Sequence, residues 1–278
     1  MKVIIFGASG LLGKALLHEW VGDEIVGLSS RDADIRDSSK VREVVQSHRP
    51  DWIVLAAAYT DVDGCETHHD LAFSVNRDGP LNVGRAASES GARLLFISSD
   101  YVFDGSKTSP YETNDGRNPQ GIYGRSKAEA EVGLLRVLPN CCIARTSWLF
   151  GTGGKCFPDT ILKLAATRPS IDVVNDQRGC PTYSHDLATA IIHLCRQQAS
   201  GIVHVTNAGD CSWFEFAREI VRIAGLPTDV RPISTQQMPR PAKRPAYSVL
   251  SPESLHRWGI SLPAWHDALA RYIRERNS

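Results

Sequence analysis

Short apolar runs punctuate the first part of the chain, and hydrophobic positions at helical spacing fill the stretches between them. Val3 to Phe6 and Trp52 to Leu55 are unbroken runs with β-branched residues, the pattern of strands buried on both faces. Glu24 to Leu28 and Arg93 to Ser98 complete the expected strands. Helical spacing covers Lys14 to Trp20, then Ser38 to His48 with Ser38 or Ser39 as N-cap, then a long stretch from Leu71 to Gly91. Strand and helix therefore alternate, which predicts an α/β fold with a doubly wound parallel sheet. Ligands of such sheets sit at the carboxyl ends of the strands. Gly7, Ala57 and Ser98-Ser99 all fall at those ends.

Beyond Trp148 the alternation breaks up. Gly151-Thr152-Gly153-Gly154, Pro158, Pro169 and Pro181 interrupt helical patterns at Phe157 to Ala166, Ser184 to Gln197, Trp213 to Ala224 and Ser251 to Trp258. Such a tail cannot continue a regular sheet. The expected organisation is a dinucleotide-binding domain over residues 1–147 and a smaller, mainly substrate-binding C-terminal lobe over 148–278. The chain is expected to return to the first domain around 171–206. Trp20, Trp258 and Trp265 read as core or interface anchors, and no internal repeat or low-complexity tract is present.

Composition narrows the partners. The 278 residues are 42% hydrophobic and 22% charged, with 31 basic and 31 acidic side chains, so no global field favours nucleic acid or an anionic membrane. The seven cysteines form no Cys-x-x-Cys pair and no Cys/His metal spacing. That pattern predicts reduced thiols in a cytoplasmic protein with no metal ligands. No secretory leader and no membrane-length apolar run is apparent. The oligomeric state is left open, a homodimer being the assembly considered.

Chemistry enters at Gly7-Ala8-Ser9-Gly10-Leu11-Leu12-Gly13, between the first strand and the first helix. Gly7 permits a tight turn, Gly10 lets backbone approach a diphosphate, and Gly13 lets the helix pack on the strand. The helix N-terminus then offers free N–H groups to the phosphates. At the end of the second strand, where NAD sites usually carry an acid, the chain has Ser29-Ser30-Arg31. Hydroxyls and a guanidinium favour a ribose 2′-phosphate, hence NADPH; a solvated Arg31 would leave the site open to NADH as well. Asp34 is placed to meet the adenine amino group and Ile35 the ring face. The small side chains of Ala56, Ala57 and Ala58 let the cofactor lie against the third strand.

Tyr123 and Lys127 stand four apart, one helical turn from each other on the same face. A phenol titrates near pH 10, so a tyrosine acid working at neutral pH needs a cation beside it. Lys127 is the expected cation. Ser99, at the end of the fourth strand, can hydrogen-bond a carbonyl oxygen that Tyr123 protonates. Arg240, Lys243 and Arg244 lie in a Pro-interrupted stretch: either they form a solvated basic loop, or one of them, Arg244 first, pairs with a substrate diphosphate.

The glycine turn, Ala56-Ala57-Ala58-Tyr59-Thr60, Ser99-Asp100-Tyr101-Val102-Phe103-Asp104-Gly105 and Tyr123 to Lys127 resemble the extended short-chain dehydrogenase/reductase superfamily. Arg145-Thr146-Ser147-Trp148, Val174-Asn175-Asp176-Gln177, Gly179-Cys180-Pro181-Thr182 and Arg240 to Pro245 narrow the resemblance to the dTDP-4-dehydrorhamnose reductase family. It implies Ser99, Tyr123 and Lys127 as the catalytic set, with Ser99 where the family usually has threonine. It adds Ser9, Leu11, Leu12, Tyr59 and Asn76 to the cofactor site, together with Tyr123 and Lys127, the lysine bonding the nicotinamide ribose. Thr60, Ser99, Tyr101, Trp148, Asn175, Asp176, Gln177 and Arg244 are implied for the nucleotide-sugar substrate. The implied reaction is hydride transfer from NADPH to C4 of a nucleotide-linked 4-keto-6-deoxy sugar, foremost dTDP-4-dehydro-L-rhamnose. Two alternatives share the motifs: another nucleotide-sugar reductase or epimerase, and a cofactor-binding regulatory subunit like the β subunit of methionine adenosyltransferase.

Overall fold

The computed structural model describes residues 1–277. Six parallel strands form the central sheet: β1 (Lys2–Phe6), β2 (Glu24–Leu28), β3 (Trp52–Leu55), β4 (Arg93–Ser99), β5 (Cys142–Thr146) and β6 (Gly201–His204), in the order β6-β5-β4-β3-β1-β2. The order reverses between β1 and β3, which makes their carboxyl ends the switch point where such sheets bind ligands.

Side chains along β1 alternate faces. Val3 and Ile5 join Leu12 and Leu16 of α1 (Leu11–Glu19), and Trp20 just past its end, in one core layer. Ile4 and Phe6 join α2 (Ser38–His48), α3 (Gly79–Ser90) and α4 (Ile122–Val137) in the other. The stretch expected as one helix from Leu71 to Gly91 is three segments: His69–Phe73, a π-helical turn Ser74–Asp78, and α3. The wide turn carries Asn76 fully buried toward the strand ends. Inserted π turns of this kind are frequent at functional sites.

After β5 the chain leaves the sheet. Leu149–Phe150 pairs with Thr182–Tyr183, Ser170–Val174 with Asp229–Ile233, and Arg178–Gly179 with Cys211–Ser212. The return to the main domain runs through α5 (Ser184–Arg196), which packs on α1, and then β6. Residues 171–174 thus belong to the lobe's own small sheet. A helix at Trp265–Asn277, not expected from sequence, closes the lobe core by packing its Trp265 and Tyr272 with Phe150 and Phe216. Trp20 packs in the main core, with Trp258 partly buried against it. All seven cysteines are free and buried. Among the described residues, no helix is long and apolar enough to cross a membrane.

Candidate active site

A cleft of about 780 Å³ runs along the carboxyl edge of the sheet and under the second lobe. A shallower depression of about 950 Å³ lies at the opposite edge, around Met1, Trp52 and Arg93. Switch-point geometry places ligands in the first and not the second.

Gly7 opens the cleft floor with φ +89°, a left-handed backbone that also faces β3 so closely that a Cβ would stand 2.5 Å from Ala57 N. The turn Gly7, Ser9, Gly10, Leu11, Leu12 and Gly13 lines the cleft. No side chain caps the N-terminus of α1, whereas Asp37 caps α2 through the amides of Ser39 and Lys40. The uncapped amides face an open cleft and fit a dinucleotide diphosphate. Ser30, Asp34 and Ile35 also line the cleft. The Asp34 carboxylate is already engaged by Arg36, whose Nη2 lies 2.5 Å away. Arg31 is exposed beside the cleft rather than in its lining, and its guanidinium has no hydrogen-bond partner among the described residues. Ala56, Ala57, Ala58 and Thr60 line the far side of the floor, but Tyr59 and Asn76 do not. Instead the Asn76 amide clamps the Tyr59 backbone, Oδ1 accepting from its N at 2.8 Å and Nδ2 donating to its O at 2.9 Å. Asn76 therefore shapes the strand-end loop.

Ser99, Tyr123 and Lys127 all line this cleft. Gly124 makes the approach possible, since a Cβ there would collide with the Tyr101 carbonyl and push α4 off the turn that follows β4. Lys127 is 2% exposed and donates from Nζ to the Ile97 carbonyl at 2.7 Å. Burial drags its pKa down to about 7, and the charge of Glu131 one turn on only partly opposes this. The Tyr123 phenol does not become more acidic, contrary to the sequence expectation. Burial and then the charge of Asp100 raise its pKa, while the adjacent Ser99 hydroxyl pulls it down. With Lys127 turned to Ile97, the resting phenol is held protonated. Tyr101 stands edge-on to Tyr123, ring centroids 5.8 Å apart.

The lobe supplies the outer wall. Trp148, at φ +46°, stacks on Trp213 at 3.5 Å and 6°, and both line the cleft with Phe157 and Lys155. Arg244 also lines it; its Nη2 and the Nη1 of Arg240 both reach Asp63 at 3.3 Å, leaving the buried Arg244 Nε without a partner. Asn175 and Gln177 do not reach the cleft. Asn175 Oδ1 accepts from Ser212 Oγ at 2.7 Å, and Ser212 is the N-cap of the helix that begins at Trp213. Gln177 Nε2 and the Asp176 carboxylate hold Thr235. This block supports the tryptophan wall from behind. Sequence reasoning passed over Asp100, Lys155 and Trp213 as site residues; only the helix start at Trp213 had a local signal.

An uncapped glycine turn at the switch point, with a tyrosine, a lysine and a serine converging beside it, defines a nicotinamide-dinucleotide oxidoreductase of the extended short-chain type. The sequence model of one protein family, described as RmlD substrate binding domain, matches residues 1–278. The chain is 40% identical to the spore coat polysaccharide biosynthesis protein SpsK of Bacillus subtilis, over 100% of this chain and 98% of that protein. It is 39% identical to the dTDP-4-dehydrorhamnose reductase of Mycobacterium tuberculosis, over 97% of this chain and 91% of that one. The crystal structure of dTDP-4-dehydrorhamnose reductase from Bacillus anthracis in complex with NADP superposes with a TM-score of 0.96 at 40% identity, covering 99% of each chain. The chain belongs to the dTDP-4-dehydrorhamnose reductase family.

Proposed function

We propose that this protein reduces C4 of dTDP-4-dehydro-L-rhamnose with NADPH, giving dTDP-L-rhamnose. The observation that carries the reading is the convergence of Ser99, Tyr123 and Lys127 on one cleft with the uncapped glycine turn. When bound, the reduced nicotinamide supplies the hydride. The turn from Gly7 to Gly13 holds the diphosphate, Ser30 and Arg31 the 2′-phosphate, and Lys127 the nicotinamide ribose. Ser99 hydrogen-bonds the C4 carbonyl oxygen and polarises it. Tyr123, kept protonated at rest, gives its phenolic proton to that oxygen as it becomes an alkoxide. General acid assistance of this kind contributes about a hundred- to ten-thousand-fold. Trp148 and Trp213 wall the sugar and base end, and Arg244 takes the diphosphate in place of Asp63.

The buried free thiols and the biosynthetic reaction suit a cytoplasmic enzyme. Incubation with NADPH and dTDP-4-dehydro-L-rhamnose tests the reading: stoichiometric NADPH consumption with formation of dTDP-L-rhamnose is expected. Conversion without net NADPH consumption would mark an epimerase, and no turnover in the presence of bound cofactor would mark a regulatory subunit.

A further inference from the structure

We propose that Asp100 resupplies, through the Ser99 hydroxyl, the proton that Tyr123 gives to the substrate. The proposal rests on the reductase reading above. Asp100 follows Ser99 directly, is 2% exposed and lines the cleft. Its Oδ1 accepts from Ser99 Oγ at 2.9 Å and its Oδ2 from Ser248 Oγ at 2.6 Å. Ser99 in turn lies against the Tyr123 phenol. Tyr123, Ser99, Asp100 and Ser248 thus form one line of exchangeable protons leading inward from the reacting oxygen.

Burial pushes Asp100 up to about 7, against the Ser248 and Ser99 hydroxyls and the Asp100 and Tyr101 amides that favour its anion. The titratable groups that feel its charge are Tyr101 on its own turn, Tyr123 on α4 and Cys180 behind it, all held protonated by burial. The cations lining the same cleft are Arg36, Lys127, Lys155 and Arg244. The carboxyl can therefore hold a proton at neutral pH and release it to a much stronger base.

The step balances as follows. The Tyr123 O–H bond breaks and its proton goes to the alkoxide on C4. The phenolate takes the Ser99 proton, Ser99 Oγ takes the Asp100 carboxyl proton, and Asp100 remains as a carboxylate until water in the opened cleft reprotonates it. The 2.9 Å contact between Ser99 Oγ and Asp100 Oδ1 serves either direction, Ser99 donating to the carboxylate or the carboxyl donating to Ser99. Exchanging the two requires only rotation of hydroxyl hydrogens.

Asp100→Asn keeps the hydrogen-bonding outline and removes the proton. In rapid-mixing experiments it should complete a first turnover at the wild-type rate, then cycle about tenfold more slowly, with the pH dependence of the steady rate near neutrality lost. Ser248→Ala, which removes a donor to the carboxylate, should shift that pH dependence upward. Infrared titration of the ligand-free wild-type protein should show a carboxyl, absent in the Asn variant, ionising near pH 7. Equal slowing of first and later turnovers would indicate a bracing role and overturn the relay, as would an unchanged steady rate and pH profile. If the Asn variant fails to fold, a wild-type infrared spectrum with no carboxyl titrating near neutrality overturns it. Full turnover by Tyr123→Phe would instead sink the reductase mechanism itself, so the two failures are distinguishable.

Discussion

Lys127 and Glu131 lie one turn apart on α4, and the fold buries both, at 2% and 0% exposure. Their charges meet opposite fates. Glu131 is bracketed by Arg145 at 2.7 and 2.9 Å, by Arg117 at 2.5 Å and by the Ser98 hydroxyl at 2.5 Å. Burial alone would raise its pKa, but Arg145 and its neighbours outweigh that and leave it below the usual carboxylate range. Lys127 has one carbonyl partner and the face of Phe96, 4.4 Å from the ring centroid. Its charge is poorly compensated, and its pKa falls accordingly. The lower turn is a settled ion network pinning α4 to β4 and β5. The upper turn opens on the cleft and is left unsettled. An unpaired buried charge is costly, so its persistence beside a cofactor cradle points to chemistry rather than to stability.

The contrast can be broken from either side. Arg145→Leu leaves the buried Glu131 with only Arg117 and the Ser98 hydroxyl for partners, and should cost about 3 kcal/mol in urea unfolding. Removing Glu131 together with Arg145 should restore much of that loss. A small effect for the single variant would mean the network is no more settled than Lys127.

Lys127→Met should do the reverse, lowering kcat/KM by at least about a hundredfold while leaving the ligand-free protein as stable or more so. The sign follows from linkage. The folded pKa of Lys127 lies below its unfolded value, so the unfolded chain takes up the proton first as pH falls. The cost to stability grows from about pH 10 to about pH 7 and is complete below that. The Tm advantage of the Met variant should therefore be largest at neutral pH and shrink as pH rises.

Arg244→Ala touches neither turn and should leave kcat nearly intact. The loss of one charge-assisted contact should raise KM about tenfold. A fall in kcat with unchanged KM would move Arg244 out of substrate binding.

The parts legible in the sequence were local ones. Strand runs, the glycine turn, the four-residue spacing of Tyr123 and Lys127, and Ser99 at a strand end are each fixed within a few residues by backbone periodicity. What escaped depended on contacts between distant positions. Asn175 reads as a substrate residue until it is seen bonded to Ser212, and Asp100 reads as part of a motif until Ser248 closes on it. Arg145 reads as a family marker, and only the fold shows that it neutralises Glu131 across α4. The π turn at Asn76 runs into Gly79-Pro80, a pair that disturbs a helix, but the pair alone does not say that the chain widens into a π turn there rather than ending the helix. The acidity of Tyr123 was misjudged for the same reason: spacing puts Lys127 nearby, but not which way its ammonium turns.

The central claim is that Tyr123 is the acid of this cleft. Tyr123→Phe removes one oxygen and no bulk, so NADPH titration by fluorescence should give an unchanged Kd. Single-turnover reduction of dTDP-4-dehydro-L-rhamnose should fall by about a thousandfold. Wild-type turnover in a variant that binds NADPH normally would contradict the account.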